Sequence, residues 1–338
     1  MTNGLRKPGK IAVFRALQLG DLLCSVPAFK SLRRAFPDAE ITLIGLPWSA
    51  SFVERYNQYF DRFIPFPGYP GLPEQPFIAE EWISFKEEVE AENFDLILQM
   101  QGNGSIVNEM LIQLHPKQLA GFQTPDKKML GDLFIDYPDK LNEIDRHLRL
   151  MKHLGITACS RKIEFPITGE DEEEINRLML PVSDKQYVCL HPGSRDAKRQ
   201  WNPAFFAALA DHCVEQGLSV IITGVASEAE ISKEVKKCMR HVPIDLTGQT
   251  SLGGVAMLIK NAALLIANCT GVSHIAAAVE TPSIIVSMNG EPDRWQPLNT
   301  RLHTYIDWLT RPHFEEILLA TEEQIRKIKR EQEVSKIA

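Results

Sequence analysis

The sequence predicts two consecutive α/β domains, each a parallel sheet wrapped by helices, facing one another across a cleft. Three observations carry this. The chain has 338 residues, more than one ordinary hydrophobic core accommodates. Short apolar runs alternate with helical periodicities in both halves, as expected of parallel strands joined by crossover helices. Several apolar runs end in small-residue turns that lead straight into helices. The clearest is 262–278, AALLIANCTGVSHIAAA, where a buried strand ends at Asn268 and an Ala-rich helix follows Gly271.

Taken in order, 10–15 (KIAVFR) reads as a buried strand, and 25–36 has helical periodicity stopped by Pro37. EITLIG at 40–45 is a second strand, and 62–67 is a short extended piece. The Pro- and Gly-rich 69–76 is a loop. An amphipathic helix over 80–92 precedes a strand at 95–100 (DLILQM). The stretch 121–137 reads as irregular, 145–154 as a helix, 162–168 as extended, 170–179 as an acidic helix and 180–185 as a turn. A composition shift across this segment divides the chain into domains 1–168 and 183–312.

The alternation then restarts. YVCL at 187–190 is a strand running into His191-Pro192-Gly193-Ser194-Arg195. A helix over 203–216 stops at Gly217. LSVIITG at 218–224 is a strand, 228–238 a helix, and 251–261 a helix with Ser251 as its N-cap. After the 262–278 segment come a strand at 283–287 and a charged C-terminal helix within 318–338, taken as able to pack back on the first domain. Ligands of open α/β sheets bind beyond the carboxyl ends of the strands.

Composition narrows the partners. A net charge of −7 argues against a general nucleic-acid binder, whose affinity comes from neutralising phosphates. The charge is uneven: Arg6, Lys7, Lys10, Arg15, Lys30, Arg33 and Arg34 stand against Asp21 alone in 1–36, whereas 74–95 is acidic. The basic end is either a solvated face or a surface toward an anionic acceptor or membrane. Six scattered cysteines form no metal-binding spacing and suit a reducing compartment. No apolar window reaches the roughly 20 residues of a membrane span, and 1–10 lacks a signal-peptide apolar segment.

Four segments could carry chemistry. Gly20-Asp21 follows the first strand; Asp21 is either a general base toward a hydroxyl or a cap of the next helix. That turn lacks G-x-G-x-x-G, which excludes a dinucleotide fingerprint. The loop at Gly193 and Ser194, followed by Lys198, Arg199 and Trp201, offers backbone amides and cations to phosphate oxygens, or is an ordinary turn with solvated charges. The turn at Cys269, Thr270 and Gly271 opens a helix whose N-terminus favours anions. Two such loops in one domain point to a diphosphate. Glu228 follows a third strand and either accepts from ribose hydroxyls or complements its own helix dipole. His274 reads as a structural histidine or a ligand, and Cys269 has no activating base nearby in sequence.

Leu19-Gly20-Asp21, Gln101-Gly102, His191-Pro192-Gly193-Ser194 with Trp201, and Asn268-x-Thr270-Gly271-x-Ser273-His274 occur in an order that resembles glycosyltransferase family 9, the ADP-heptose:lipopolysaccharide heptosyltransferases. The similarity covers about residues 10–300. It implies a GT-B fold of two Rossmann-like domains, with the acceptor on the N-terminal domain and the nucleotide sugar on the C-terminal one. It implies inverting transfer without a catalytic metal or resident cofactor, ADP-heptose as co-substrate, and a glycan or glycolipid acceptor. The place of work would be the cytoplasm or the inner face of the membrane. Asp21 matches the general base, with Gly20, Gln101 and Gly102 on the acceptor side. Gly193, Ser194, Thr270 and Gly271 match phosphate-contacting loops, and Arg199 or its neighbour Lys198 the diphosphate cation. Glu228 falls near the ribose, Thr250 and Leu252 near the adenine, and His274 beside the donor loop. Cys269 stands where the family commonly has Asp. A thiol makes no charge-assisted bond to sugar hydroxyls, so the donor sugar stays open between heptose and another. Transfer to a non-lipid acceptor, a lapsed nucleotide-sugar-binding protein and a GT-B epimerase are the other readings.

Overall fold

A computed structural model describes residues 5–125 and 130–337, with side chains to 330. The chain divides into two compact units, 1–166 and 167–338.

In the first unit the order is β1 (Lys10–Phe14), α1 (Leu19–Ala35), β2 (Glu40–Gly45), α2 (Ala50–Arg55), β3 (Arg62–Pro65) and α3 (Ala79–Ala91). It continues with β4 (Leu96–Gln99), α4 (Val107–Ile112), β5 (Leu119–Gln123), β6 (Phe134–Asp136) and α5 (Glu143–His153). All strand pairs are parallel, in the spatial order β3-β2-β1-β4-β5-β6. The central strands are buried along almost their whole length, as strands covered by helices on both faces must be. On one face Ala12, Phe14, Ile44, Ile64 and Ile97 pack against Phe85, Val89, Met110 and Leu111, with Phe14 edge-on to Phe66 at 5.1 Å.

The second unit runs α6 (Gly169–Arg177), β7 (Tyr187–His191), α7 (Pro203–Glu215), β8 (Ser219–Ile222), α8 (Ala229–Cys238), β9 (Ile244–Asp245) and α9 (Leu252–Asn261). Then follow β10 (Leu264–Asn268), α10 (Gly271–Ala278), β11 (Ser283–Ser287), α11 (Pro292–Trp295), β12 (His303–Asp307) and α12 (Phe314–Ile337). Its parallel sheet has the order β12-β11-β10-β7-β8-β9. Counted from each unit's first strand, both sheets follow 3-2-1-4-5-6, the order of dinucleotide-binding Rossmann sheets. Ser251 caps α9 as expected, accepting from the Gly254 amide at 3.0 Å. Asn142 and Thr168 cap α5 and α6 in the same way.

Three expectations are corrected. Helix α1 begins at Leu19 instead of residue 25, because Leu22, Leu23, Cys24 and Val26 are all buried and a helix apolar on most sides shows no amphipathic start. The stretch read as irregular over 121–137 contains β6 and the end of β5, whose Gly121 at φ +159° breaks the strand pattern; residues 126–129 lie outside the described ones. Strands β9 and β12 were not anticipated; β9 is too short to show a period, and β12 mixes His, Thr and Tyr with one Ile. Helix α12 places Ile317, Ile325 and Ile328 in the second unit's core. There α12 begins beside Trp201, a fully buried ring 5.2 Å from Phe205, Phe206 and Trp308 and stacked on Phe314 at 6.1 Å.

Candidate functional site

In a 3-2-1-4-5-6 sheet the first and fourth strands are neighbours whose connections leave in opposite directions, which opens a crevice at their carboxyl ends. In the first unit that point lies between β1 and β4, in the second between β7 and β10. The residues singled out in the sequence gather there: Gly20, Asp21, Gln101 and Gly102 in one unit, Gly193, Ser194, Cys269, Thr270 and Gly271 in the other.

In the first unit Asp21 sits in the first turn of α1, whose N-cap is Gln18. Asp21 is therefore inside the helix and not its cap, with a carboxylate one-fifth exposed. The carboxylate is favoured there by the positive end of the helix. Its Oδ1 lies 3.6 Å from the guanidinium of Arg15, which is wholly buried. Gln101, just past β4, accepts from the Ala16 amide at 2.7 Å through Oε1, which fixes its orientation, and its buried Nε2 has no hydrogen-bond partner among the described residues. A buried amide donor left open at such a point is suited to a ligand oxygen. Gly102 adopts φ +58°, and the space where a Cβ would project is open. Behind Arg15, Glu143 binds Arg15 at 2.9 Å, Arg146, and His147 at 3.2 Å. Burial holds His147 down at about 4, so its ring is neutral near pH 7.

In the second unit Asn268, the last residue of β10, holds the neighbouring loop. Its Oδ1 accepts from the Trp201 amide at 2.9 Å, and its Nδ2 donates to Pro192 O at 2.7 Å and Gly193 O at 3.3 Å. Gln200 ties the same loop through Ser194 O at 3.0 Å. A Cβ on Gly193 would stand 2.2–2.5 Å from the Glu228 carboxyl group. The loop after β8 thus closes onto the loop after β7, and a side chain at 193 would have to push the Glu228 carboxyl group aside. One oxygen of Glu228 accepts from the Val225 amide at 2.9 Å, so the local capping role is real. The same oxygen lies 3.7 Å from His191 Nε2. Burial pushes the Glu228 carboxyl up and His191 down to about 4. Neutral His191 is fixed by Thr223 at 3.0 Å.

Helix α10 opens at Gly271, after β10, with Thr270 as N-cap and no side-chain cap. Cys269 is buried and its thiol is pushed up to about 11 by desolvation, which leaves it neutral; Arg199 and Glu291 act on it electrostatically. Lys198 and Arg199 are exposed on a short turn, Ala197–Arg199, capped by Asp196. Thr250 and Leu252 enter at the start of α9, beyond a Gly248 turn packed on Ala226. The Thr250 hydroxyl is buried without a partner among the described residues. His274 is buried, its ring 6.1 Å from that of Trp295. Among the described residues no three His, Cys, Asp or Glu side chains are grouped to hold a metal ion, and no helix is long and apolar enough to cross a membrane. Arg15 and Asn268 were not among the candidates. Asn268 was legible only as a motif letter, and an Arg inside an apolar strand gives no signal of function by itself.

Two Rossmann-like units of one strand order make up the GT-B architecture of glycosyltransferases. A profile of Glycosyltransferase family 9 (heptosyltransferase) matches residues 82–316, and the chain belongs to that family. It is a glycosyltransferase. Lipopolysaccharide heptosyltransferase 3 of Escherichia coli K12 is 24% identical over 293 residues, 82% of either chain. The crystal structure of a family 9 glycosyl transferase from Veillonella parvula superimposes with TM-score 0.78 at 19% identity, covering 96% of this chain and all of that one. The E. coli ADP-heptose lps heptosyltransferase II gives 0.75 at 17% identity, over 95% and 99%.

Proposed function

We propose that this chain transfers heptose from ADP-heptose to a hydroxyl of a lipopolysaccharide-core-type glycan, with inversion and without a catalytic metal. The observation that supports this most is the gathering of Asp21 and Gln101 at one switch point and of Gly193, Ser194, Thr270 and Gly271 at the other. In this reading the amides of the Gly193–Ser194 loop and the start of α10 hold the diphosphate, and Lys198 and Arg199 neutralise it. Glu228 accepts from the ribose hydroxyls, with Thr250 and Leu252 at the adenine. Gln101 Nε2 donates to an acceptor oxygen, beside Gly20 and Gly102.

Asp21 takes the proton of the acceptor hydroxyl as its oxygen bonds to the anomeric carbon, opposite the departing group. The bond from that carbon to the phosphate oxygen breaks, and ADP leaves with the electron pair. The charge that grows on the diphosphate is met by donors already in place, which lowers the barrier. The relatives are lipopolysaccharide heptosyltransferases by name; work in the cytoplasm or at the inner face of the membrane is part of the same proposal. Replacing Asp21 with Asn tests the reading: transfer measured by mass spectrometry of the product falls by about 10²-fold or more, while ADP affinity by calorimetry stays within twofold. Retained turnover refutes the base assignment.

One observation favours a second donor. Cys269 is neutral where a carboxylate would accept from sugar hydroxyls, and this suits a sugar with fewer hydroxyls at that point. A thermal-shift series over ADP-, GDP- and UDP-sugars separates the two.

A further inference from the structure

We propose that Arg15 is the positioning residue for the Asp21 carboxylate and that Glu143 is the buried counter-charge that sets how strongly Arg15 acts on it. The inference rests on the reading of Asp21 as the base. Arg15 follows β1 and is wholly buried. Its Nε donates to Asp21 O at 3.0 Å, its Nη1 to Met100 O, and its Nη2 to Glu143 Oε1 at 2.9 Å, while Nη2 also stands 3.6 Å from Asp21 Oδ1. One guanidinium thus joins the start of α1, the end of β4 and the first turn of α5. The first two border the crevice of the first unit, and the third lies behind Arg15. The rigid fork of donors bonds the Asp21 backbone while keeping its charge 3.6 Å from the Asp21 carboxylate, which a lysine's single ammonium does not reproduce.

A buried arginine is tolerated only when its charge is compensated, and here two carboxylates compensate it. They are unequal. Glu143 is buried and shared with Arg146 and His147, whereas the Asp21 carboxylate is one-fifth exposed and able to meet a substrate. Among the described residues, the charges near Asp21 include Arg15 after β1, and Glu143 with Arg146 on α5. His147, also on α5, is neutral near pH 7. The end of β4 brings the Met100 carbonyl and the Gln101 amide. Arg15 lowers the proton affinity of Asp21, and Glu143 tempers that effect by sharing the same guanidinium. Removing either therefore moves Asp21 in opposite directions.

The test is a carboxyl ¹³C titration of protein labelled at aspartate, with the Asp21 resonance assigned by its loss in Asp21→Asn. In Arg15→Gln, Asp21 titrates about one pH unit higher, the lower end of the effect of a cation at this distance. In Glu143→Gln it titrates lower, by about half a unit. Arg15→Lys keeps the titration within about 0.3 unit of wild type but loses the fork, so kcat falls about tenfold with KM for donor unchanged. A merely structural role damages all three variants without opposite shifts. Equal shifts, or none, overturn the inference. If Arg15→Gln fails to fold, Glu143→Gln decides alone: a downward shift supports it and an unmoved resonance overturns it. The two readings fail separately. Full transfer by Asp21→Asn removes the base while the opposite shifts stand; an inactive Asp21→Asn with no shifts removes only the role of Arg15.

Discussion

Replacing Asn268 with Ala removes the tether of the loop after β7. The side chain is wholly buried and makes two short bonds, from the Trp201 amide at 2.9 Å and to Pro192 O at 2.7 Å, and a longer one to Gly193 O at 3.3 Å. Alanine leaves the first two backbone groups buried without partners, at about 1–3 kcal/mol each. The longer bond adds little, and some relaxation of the loop recovers part of the loss. A net destabilisation of about 3 kcal/mol follows. For a unit of this size that corresponds to a fall in Tm of roughly 6–12 °C. Scanning calorimetry of the full chain measures it, with near-ultraviolet circular dichroism following the surroundings of Trp201. ADP affinity falls about tenfold, or ~1.4 kcal/mol, because the Gly193–Ser194 amides are no longer pre-positioned. Asn268→Asp keeps the acceptor for Trp201 but turns an oxygen toward Pro192 O. It is at least as destabilising at pH 7 and recovers partly in acid, where the protonated carboxyl donates again. An Asn268→Ala protein that melts within about 2 °C of wild type refutes the tether.

Gly193→Ala drives a methyl group into the Glu228 carboxyl group, which breaks its bond to the Val225 amide and shifts it from the loop. ADP binding weakens by about tenfold, ~1.4 kcal/mol, with Tm lowered by only about 2–4 °C; calorimetry of ADP and adenine separates a ribose effect from an adenine one. Acid destabilises the chain through buried histidines. His147, His191 and His303 are each held at about 4, so the unfolded chain takes up a proton near 6.5 that the folded chain refuses. Their contribution is complete above pH 6.5 and is lost as pH falls toward 4. At pH 5 each costs about 2 kcal/mol relative to pH 7. Glu228, held up by burial, has the opposite sign and loses its contribution as pH rises through its folded value. Urea unfolding between pH 7 and 5 shows a steep loss, and His303→Gln flattens it by about a third.

The sequence alone determined the alternation of strands and helices, most element positions and the segments that carry polar chemistry. Those are local properties: periods of two and 3.6, Ser251 before an apolar run, Gly217 after one. Even where local pattern failed, as at the start of α1 or within 121–137, the cause was local. There the apolar faces were too wide, or a glycine interrupted a strand. It also carried the ordered motifs by which family 9 was recognisable, although not which of their residues meet. That was decided by strand order, which is invisible until the sheets form. Only then do Asp21 and Gln101 share one crevice and Gly193 and Thr270 another. The residues that hold these sites are long-range partners: Arg15 reaches Met100 and Glu143 across 85 and 128 positions, and Asn268 reaches Trp201 and Pro192 across 67 and 76. An arginine in an apolar strand and an asparagine at a strand end look ordinary in sequence. Burial makes them decisive, because a charge or amide withdrawn from water must find its partners wherever the fold brings them.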